Sequence, residues 1–140
     1  MISIREIDHV VLRVRDIDAM RRFYCDVLGA THVAWRPEFG MSHLKAGRSM
    51  IDLITVDGKL GKAGGAAPGR EGRNLDHLCL RVEPFEQEAI VAHLKRHGVA
   101  VGEIRRRYGA EGNGISIYVS DPEGNTVELK GPSDGQPPPA

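Results

Sequence analysis

One short segment occurs twice in this chain, and that repetition restricts the fold more than any other feature. Ile7-Asp8-His9-Val10-Val11-Leu12-Arg13-Val14 returns as Leu75-Asp76-His77-Leu78-Cys79-Leu80-Arg81-Val82. Asp, His, Leu, Arg and Val recur at matched places, so the chain reads as two similar halves. The first copy alternates around a β-branched run and reads as a strand, and the second repeats its pattern. A histidine holds the same place in each.

The rest of each half follows one plan. After the strand over 6–14, Asp16 offers a helix N-cap and Asp18 a favourable charge in the first turn. Met20, Phe23, Tyr24, Val27 and Leu28 then form one apolar helical stripe, which Gly29 terminates. Strands are expected at 31–36, 41–46 and 50–56, with turns at Pro37–Gly40 and Gly47. The second half repeats this: a strand over 75–82, a helix entered at Pro84 and closed by Gly98, then strands at 99–106, 114–120 and 125–130. Asp121-Pro122-Glu123-Gly124-Asn125 forms the last turn.

This predicts an α+β fold of two βαβββ modules, 1–57 and 75–131. Residues 58–74, rich in Gly, Ala, Lys and Pro, read as a solvated flexible linker. Residues 132–140 read as a disordered tail.

Composition narrows the partners. Nineteen basic residues balance nineteen acidic ones, which removes the electrostatic case for nucleic acid or an anionic membrane. No apolar run approaches the roughly 20 residues of a transmembrane helix. The first residues lack the basic flank and apolar core of a signal peptide, and Cys25 and Cys79 have no CxxC spacing. A cytoplasmic protein with two buried, reduced thiols is the expectation.

Chemistry concentrates in a few residues. His9 and His77 occupy matched strand positions between apolar neighbours, where an imidazole needs a partner. Asp52 and Glu128 are acids between apolar neighbours in the last strand of each half. A carboxylate facing a sheet interior needs a cation, a donor or a raised pKa; facing solvent, it needs none.

At this point the sequence resembles the vicinal oxygen chelate superfamily, which includes glyoxalase I, fosfomycin-modifying enzymes, methylmalonyl-CoA epimerase, extradiol dioxygenases and bleomycin-resistance proteins. The resemblance runs from Ile7 to Lys130. It rests on Asp8-His9-Val10-Val11-Leu12, Phe23-Tyr24-Cys25-Asp26-Val27-Leu28-Gly29, Leu75-Asp76-His77 and Asp121 through Glu128. It implies paired modules whose mixed sheets form a half-barrel cleft. It also implies one divalent metal per site (Ni, Co, Zn, Mn or Fe), with ligands His9, His77 and Glu128. The family's fourth metal position falls on Asp52, where the shorter side chain points to a role through water or none on the metal.

The activity most similar in size and pattern is that of glyoxalase I. There a metal stabilises an enediolate while a carboxylate moves a proton between adjacent carbons. The resemblance then makes Glu128 the base, Asp52 its catalytic partner and Arg13 the residue that binds the substrate carboxylate. Val56 stands where that branch has an asparagine, which weakens the case for glutathione. Arg81 repeats Arg13, so this arginine is also readable as a feature common to both strands. The implied partners are a small-molecule substrate and a second copy of the chain in a homodimer. Rival readings are an Fe(II) extradiol dioxygenase on the same triad, a thiol transferase acting on an epoxide antibiotic, and a metal-free ligand-sequestering protein. A complete His9, His77 and Glu128 set argues against the last.

Weaker signals read more simply. Arg105-Arg106-Arg107-Tyr108 is a solvated charge run, although it could clamp an anion. His93 and His97 lack an HExxH context and read as exposed. His43, Trp35 and Tyr118 are pocket-lining candidates by strand placement alone. Gly64, Gly65 and Gly69 precede no GK[ST]-headed helix, so they form no phosphate loop.

Overall fold

The computed structural model describes residues 1–136 of the chain. The chain divides into two compact units, Met1–Asn74 and a second beginning at Leu75. The first contains β1 (His9–Val14), α1 (Ile17–Arg22) running into a π-helical turn (Phe23–Val27), β2 (Thr31–Arg36), β3 (Met41–Ala46) and β4 (Ser49–Thr55). The second contains β5 (Leu78–Arg81), α2 (Gln87–Arg96), β6 (Ile104–Gly109), β7 (Gly112–Ser120) and β8 (Thr126–Lys130). The α+β reading and the two βαβββ modules are borne out.

Each unit builds one open four-stranded mixed sheet, in the orders β1-β4-β3-β2 and β5-β8-β7-β6. In both, the first strand pairs parallel with the last and every other pairing is antiparallel. A parallel pair needs a crossover connection, which the helix and intervening strands provide.

Alternation then sorts the faces. In the first unit Leu12, Val14, Leu44, Ile51 and Leu53 are buried on one side. Met20, Phe23 and Tyr24 are the buried helical residues, and α1 lies against β3 and β4. Asp16 caps that helix, its carboxylate accepting from the Ala19 N–H at 3.0 Å. The opposite parity places His9, Arg13, His43 and Asp52 together on the other face. In the second unit Ile117, Val119, Val127 and Leu129 form the buried apolar parity. Cys79, Tyr118, Glu128 and Lys130 share the other.

Several expectations shift. The strand over 6–14 begins only at His9, and the one over 75–82 only at Leu78. Pro84 lies ahead of α2, whose N-cap is Glu86, rather than within its first turn. The strand expected at 99–106 is Ile104–Gly109. The linker is not a plain solvated connection: it holds a 3-10 turn at Gly61–Gly64, and Gly61 is buried. A Cβ on Gly61 would overlap the Thr55 carbonyl, so close packing explains this glycine. The thiols differ from expectation too, since Cys25 is part-buried and Cys79 exposed, both free.

The expected disordered tail is tied down over its first residues. Gly131 N–H donates to the Ile115 carbonyl, Asp134 N–H donates to the Asn113 carbonyl, and Arg106 pairs with the Asp134 carboxylate at 2.5 Å. The rest of that tail, 137–140, lies outside the described residues.

The turn before β8 is stapled by a buried acid. The Asp121 carboxylate, 4% exposed, accepts from the N–H groups of Glu123 and Asn125 and from the Asn125 side-chain amide, all within 2.9 Å. These bonds set the β7–β8 register that places Glu128 beside Tyr118. Asp121→Ala leaves buried donors unpaired and is expected to cost about 2 kcal/mol. Urea denaturation reads this, and an unchanged midpoint would remove the turn from the determinants of register.

Candidate functional site

The second unit presents a carboxylate with donors and acceptors gathered around it. Parallel pairing sets Cys79 opposite Glu128 and antiparallel pairing sets Tyr118 opposite it on the other side. Glu128 is 4% exposed. Its Oε2 accepts from the Cys79 thiol at 3.4 Å, and its Oε1 lies 3.4 Å from Nε2 of His77. His77 Nδ1 sits 2.6 Å from the Asp76 carboxylate. An ionised carboxylate only accepts, so Nδ1 carries a hydrogen, and without a second proton Nε2 would turn a lone pair toward Glu128, another acceptor. Two acceptors facing one another require a cation between them, either a proton on the ring or a metal ion. A metal-ligating imidazole normally has its other nitrogen held by a carboxylate in this way. The donor set therefore fits a divalent metal.

Cys79 is exposed as a residue, yet burial around its sulfur and then the Glu128 charge push the thiol up to about 12. The Tyr118 ring lies 5.8 Å from that of His77, and the Arg107 guanidinium lies 3.8 Å from the Tyr118 centroid. The arginine run is engaged: Arg105 and Arg107 bond to Glu103, and Arg106 to Asp134.

In the first unit the corresponding row differs. Val11, Asp52 and His43 lie opposite one another across β1, β4 and β3. Asp52 is 6% exposed, and its Oδ1 is 2.7 Å from Nδ1 of His43. His9 repeats the ring geometry of His77, with Nδ1 2.6 Å from the Asp8 carboxylate. That hydrogen bond raises the His9 pKa above its ordinary value, with burial opposing and the Asp52 charge assisting.

Arg13 is placed differently from expectation. Its Nε donates to the Gly61 carbonyl at 3.1 Å, and its terminal nitrogens donate to the carbonyls of Gly64, Gly65 and Ala66 at 2.7–3.2 Å. The Asn74 side chain exchanges two further bonds with the Arg13 main chain. A Cβ on Gly64 would overlap the guanidinium. In this conformation Arg13 binds the linker main chain, while Arg81 pairs with Glu111. The two copies of the arginine do different work.

The structure thus brings His77 to Glu128, and Asp52 to His43. Among the described residues no three His, Cys, Asp or Glu side chains are gathered as a ready metal cage. Four partners went unassigned in the sequence: Asp8 and Asp76 as ring holders, Cys79 as a donor to Glu128, and His43 as the partner of Asp52. The first two lay in plain view in the repeated Asp-His pair. The other two depend on cross-strand register.

The chain matches the Glyoxalase/Bleomycin resistance protein/Dioxygenase superfamily over residues 6–129. It is 32% identical to "Virulence protein STM3117" of Salmonella typhimurium over 90% of this chain and 83% of that one. The crystal structure of STM3117 superposes with a TM-score of 0.78 at 27% identity, covering 94% of this chain and 99% of that one. A lactoylglutathione lyase structure from Agrobacterium tumefaciens gives a TM-score of 0.69 at 26% identity, covering 92% and 95%. The mitochondrial methylmalonyl-CoA epimerase of Mus musculus is 28% identical over 89% of this chain and 71% of that one. The chain belongs to this superfamily. No helix among the described residues is long and apolar enough to cross a membrane.

The thiol environment can be checked directly. Thiolate, not thiol, reacts with iodoacetamide, so Cys79 should alkylate slowly at pH 8 despite its exposure. Glu128→Gln removes the neighbouring negative charge, lowers the thiol pKa and should speed alkylation of Cys79, read by peptide mass spectrometry. Equal rates in both proteins would show that Glu128 does not act on the sulfur.

Proposed function

We propose that the chain is a divalent-metal-dependent enzyme of the glyoxalase I-like type, a lyase or isomerase that moves a proton between adjacent carbons of a small carbonyl-bearing substrate. The observation that carries this reading is Nε2 of His77 lying 3.4 Å from the buried Glu128 carboxylate, with Nδ1 tied to Asp76. Such a pair is poised for a cation. His9, held by Asp8 in the same manner, supplies the matching nitrogen of the first unit.

In this proposal His9, His77 and Glu128 are the metal ligands, and two imidazoles with one carboxylate suit Ni, Co, Zn, Mn or Fe. The ion, when bound, acts as a Lewis acid toward a substrate oxygen. Glu128 is the carboxylate of the second unit at the reacting centre, and Asp52 is its partner in the first. Arg13 can meet an anionic substrate group only after the Gly61–Ala66 carbonyls release it. The likeness to a lactoylglutathione lyase and to an epimerase supports proton-transfer chemistry. A homodimer belongs to the same reading, by family likeness.

Calorimetric titration of the metal-stripped chain with nickel, cobalt, zinc, manganese and ferrous ions tests the site. One ion per chain is expected, lost in His77→Ala, with Glu128→Ala costing more affinity than Asp52→Ala because the Asp52 carboxylate already serves His43. Turnover of the hemithioacetal of methylglyoxal and glutathione tests the activity. Failure of every ion to bind would sink the proposal.

A further inference from the structure

His43 has no place in the ligand set, yet its surroundings are those of a proton carrier. Its Nδ1 is 2.7 Å from Oδ1 of Asp52, whose side chain is only 8% exposed. A carboxylate so buried requires a donor, and the His43 ring supplies it. Because the carboxylate can only accept, a hydrogen sits on Nδ1, which in the base form of the ring leaves the lone pair on Nε2. The ring is 24% exposed, and among the described residues Nε2 has no bonded partner. One nitrogen anchored by a buried acid and the other open is the arrangement by which a histidine is made a general base.

The face around it is also suitable. His9 and Arg13 project from β1, Asp52 from β4, and Met41 and Lys45 from β3, by strand parity. Ala34 stands opposite His43 on β2. No second carboxylate on these strands bonds the ring, so Asp52 alone sets its tautomer. The sequence places a catalytic acid at position 52, but that acid is covered by the ring it holds.

The geometry points to His43 as the catalytic acid–base residue of the first unit, with Asp52 its positioning residue. This deepens the proton-transfer reading above and rests on it. His43 Nε2 takes the proton as a substrate C–H bond breaks. The bonding pair moves into the adjacent carbonyl, whose oxygen gains the charge. Nε2–H then returns the proton to the neighbouring carbon, the enediolate double-bond pair forming the new C–H bond. The hydroxyl proton of the first carbon passes to the charged oxygen and that carbon becomes the new carbonyl, so the ring ends as it began. No oxidant or reductant is needed.

The test uses the metal-loaded full chain with the hemithioacetal of methylglyoxal and glutathione. His43→Ala should lower kcat about 100-fold or more while KM and calorimetric metal affinity stay close to those of the parent. Added imidazole should restore part of kcat, an effect that a purely structural residue would not show. Unchanged kcat, absent rescue, or loss of the metal with the ring (which would make His43 a ligand) each overturns the assignment. Should the parent chain bind metal but leave this probe unturned, the glyoxalase-like activity falls instead. The assignment is then decided by nitrogen-15 spectra of the His43 ring. Hydrogen on Nδ1 that shifts to Nε2 in Asp52→Asn supports it, and hydrogen on Nε2 in the parent refutes it.

Discussion

The parallel pairing of the first and last strands of each unit is the constraint on which the rest depends. It brings two segments distant in sequence into a register where β1 meets β4 with Val11 opposite Asp52, and β5 meets β8 with Cys79 opposite Glu128. The histidine lies two residues before that row, so period-two alternation returns it to the face of the acid. Nothing local to the Asp-His segment could achieve this. The helix and two further strands lie between the paired segments, because a parallel pair cannot be closed by a tight turn.

Burial then decides what each acid can be. A carboxylate at 4–6% exposure is tolerated only with partners, and the two units supply different ones. Glu128 receives a weak thiol donor and faces an imidazole nitrogen at 3.4 Å, an arrangement that suits a cation. Asp52 receives a full N–H from His43 at 2.7 Å, which satisfies the oxygen that a metal would otherwise claim. The backbone repeats while the side-chain chemistry does not, and the difference lies in the neighbours of each acid: Cys79 and Tyr118 on one sheet, Val11 and His43 on the other.

Much of this was legible in the residues. The repeat marked both modules, and the Asp16 cap and apolar stripe marked α1. Strands 31–36 and 41–46 coincide with β2 and β3 because their turns carry unambiguous Gly and Pro signals. The acids and histidines could be named from the repeat and from family likeness, but their partners could not. His43 reaches Asp52 only through the β3–β4 register, which alternation within one strand does not encode. The strand starts at His9 and Leu78 were also hidden, since apolar character extends past the last paired residue.

Residues 58–74 show why composition misled. Glycine enrichment normally signals a flexible connection, because the missing side chain removes both packing surface and restraint. Here the missing side chain is what permits contact. Gly61 approaches the Thr55 carbonyl and Gly64 the Arg13 guanidinium, at distances no Cβ would allow. The carbonyls so exposed turn inward and accept from an arginine whose planar fork holds several donors in fixed geometry. A polar segment without large apolar residues can therefore be ordered by main-chain acceptors alone, provided one cation sits at its centre. That cation belongs to the same sheet face as His9 and Asp52. Any rearrangement of the segment would thus alter the charge on the face where the chemistry is proposed.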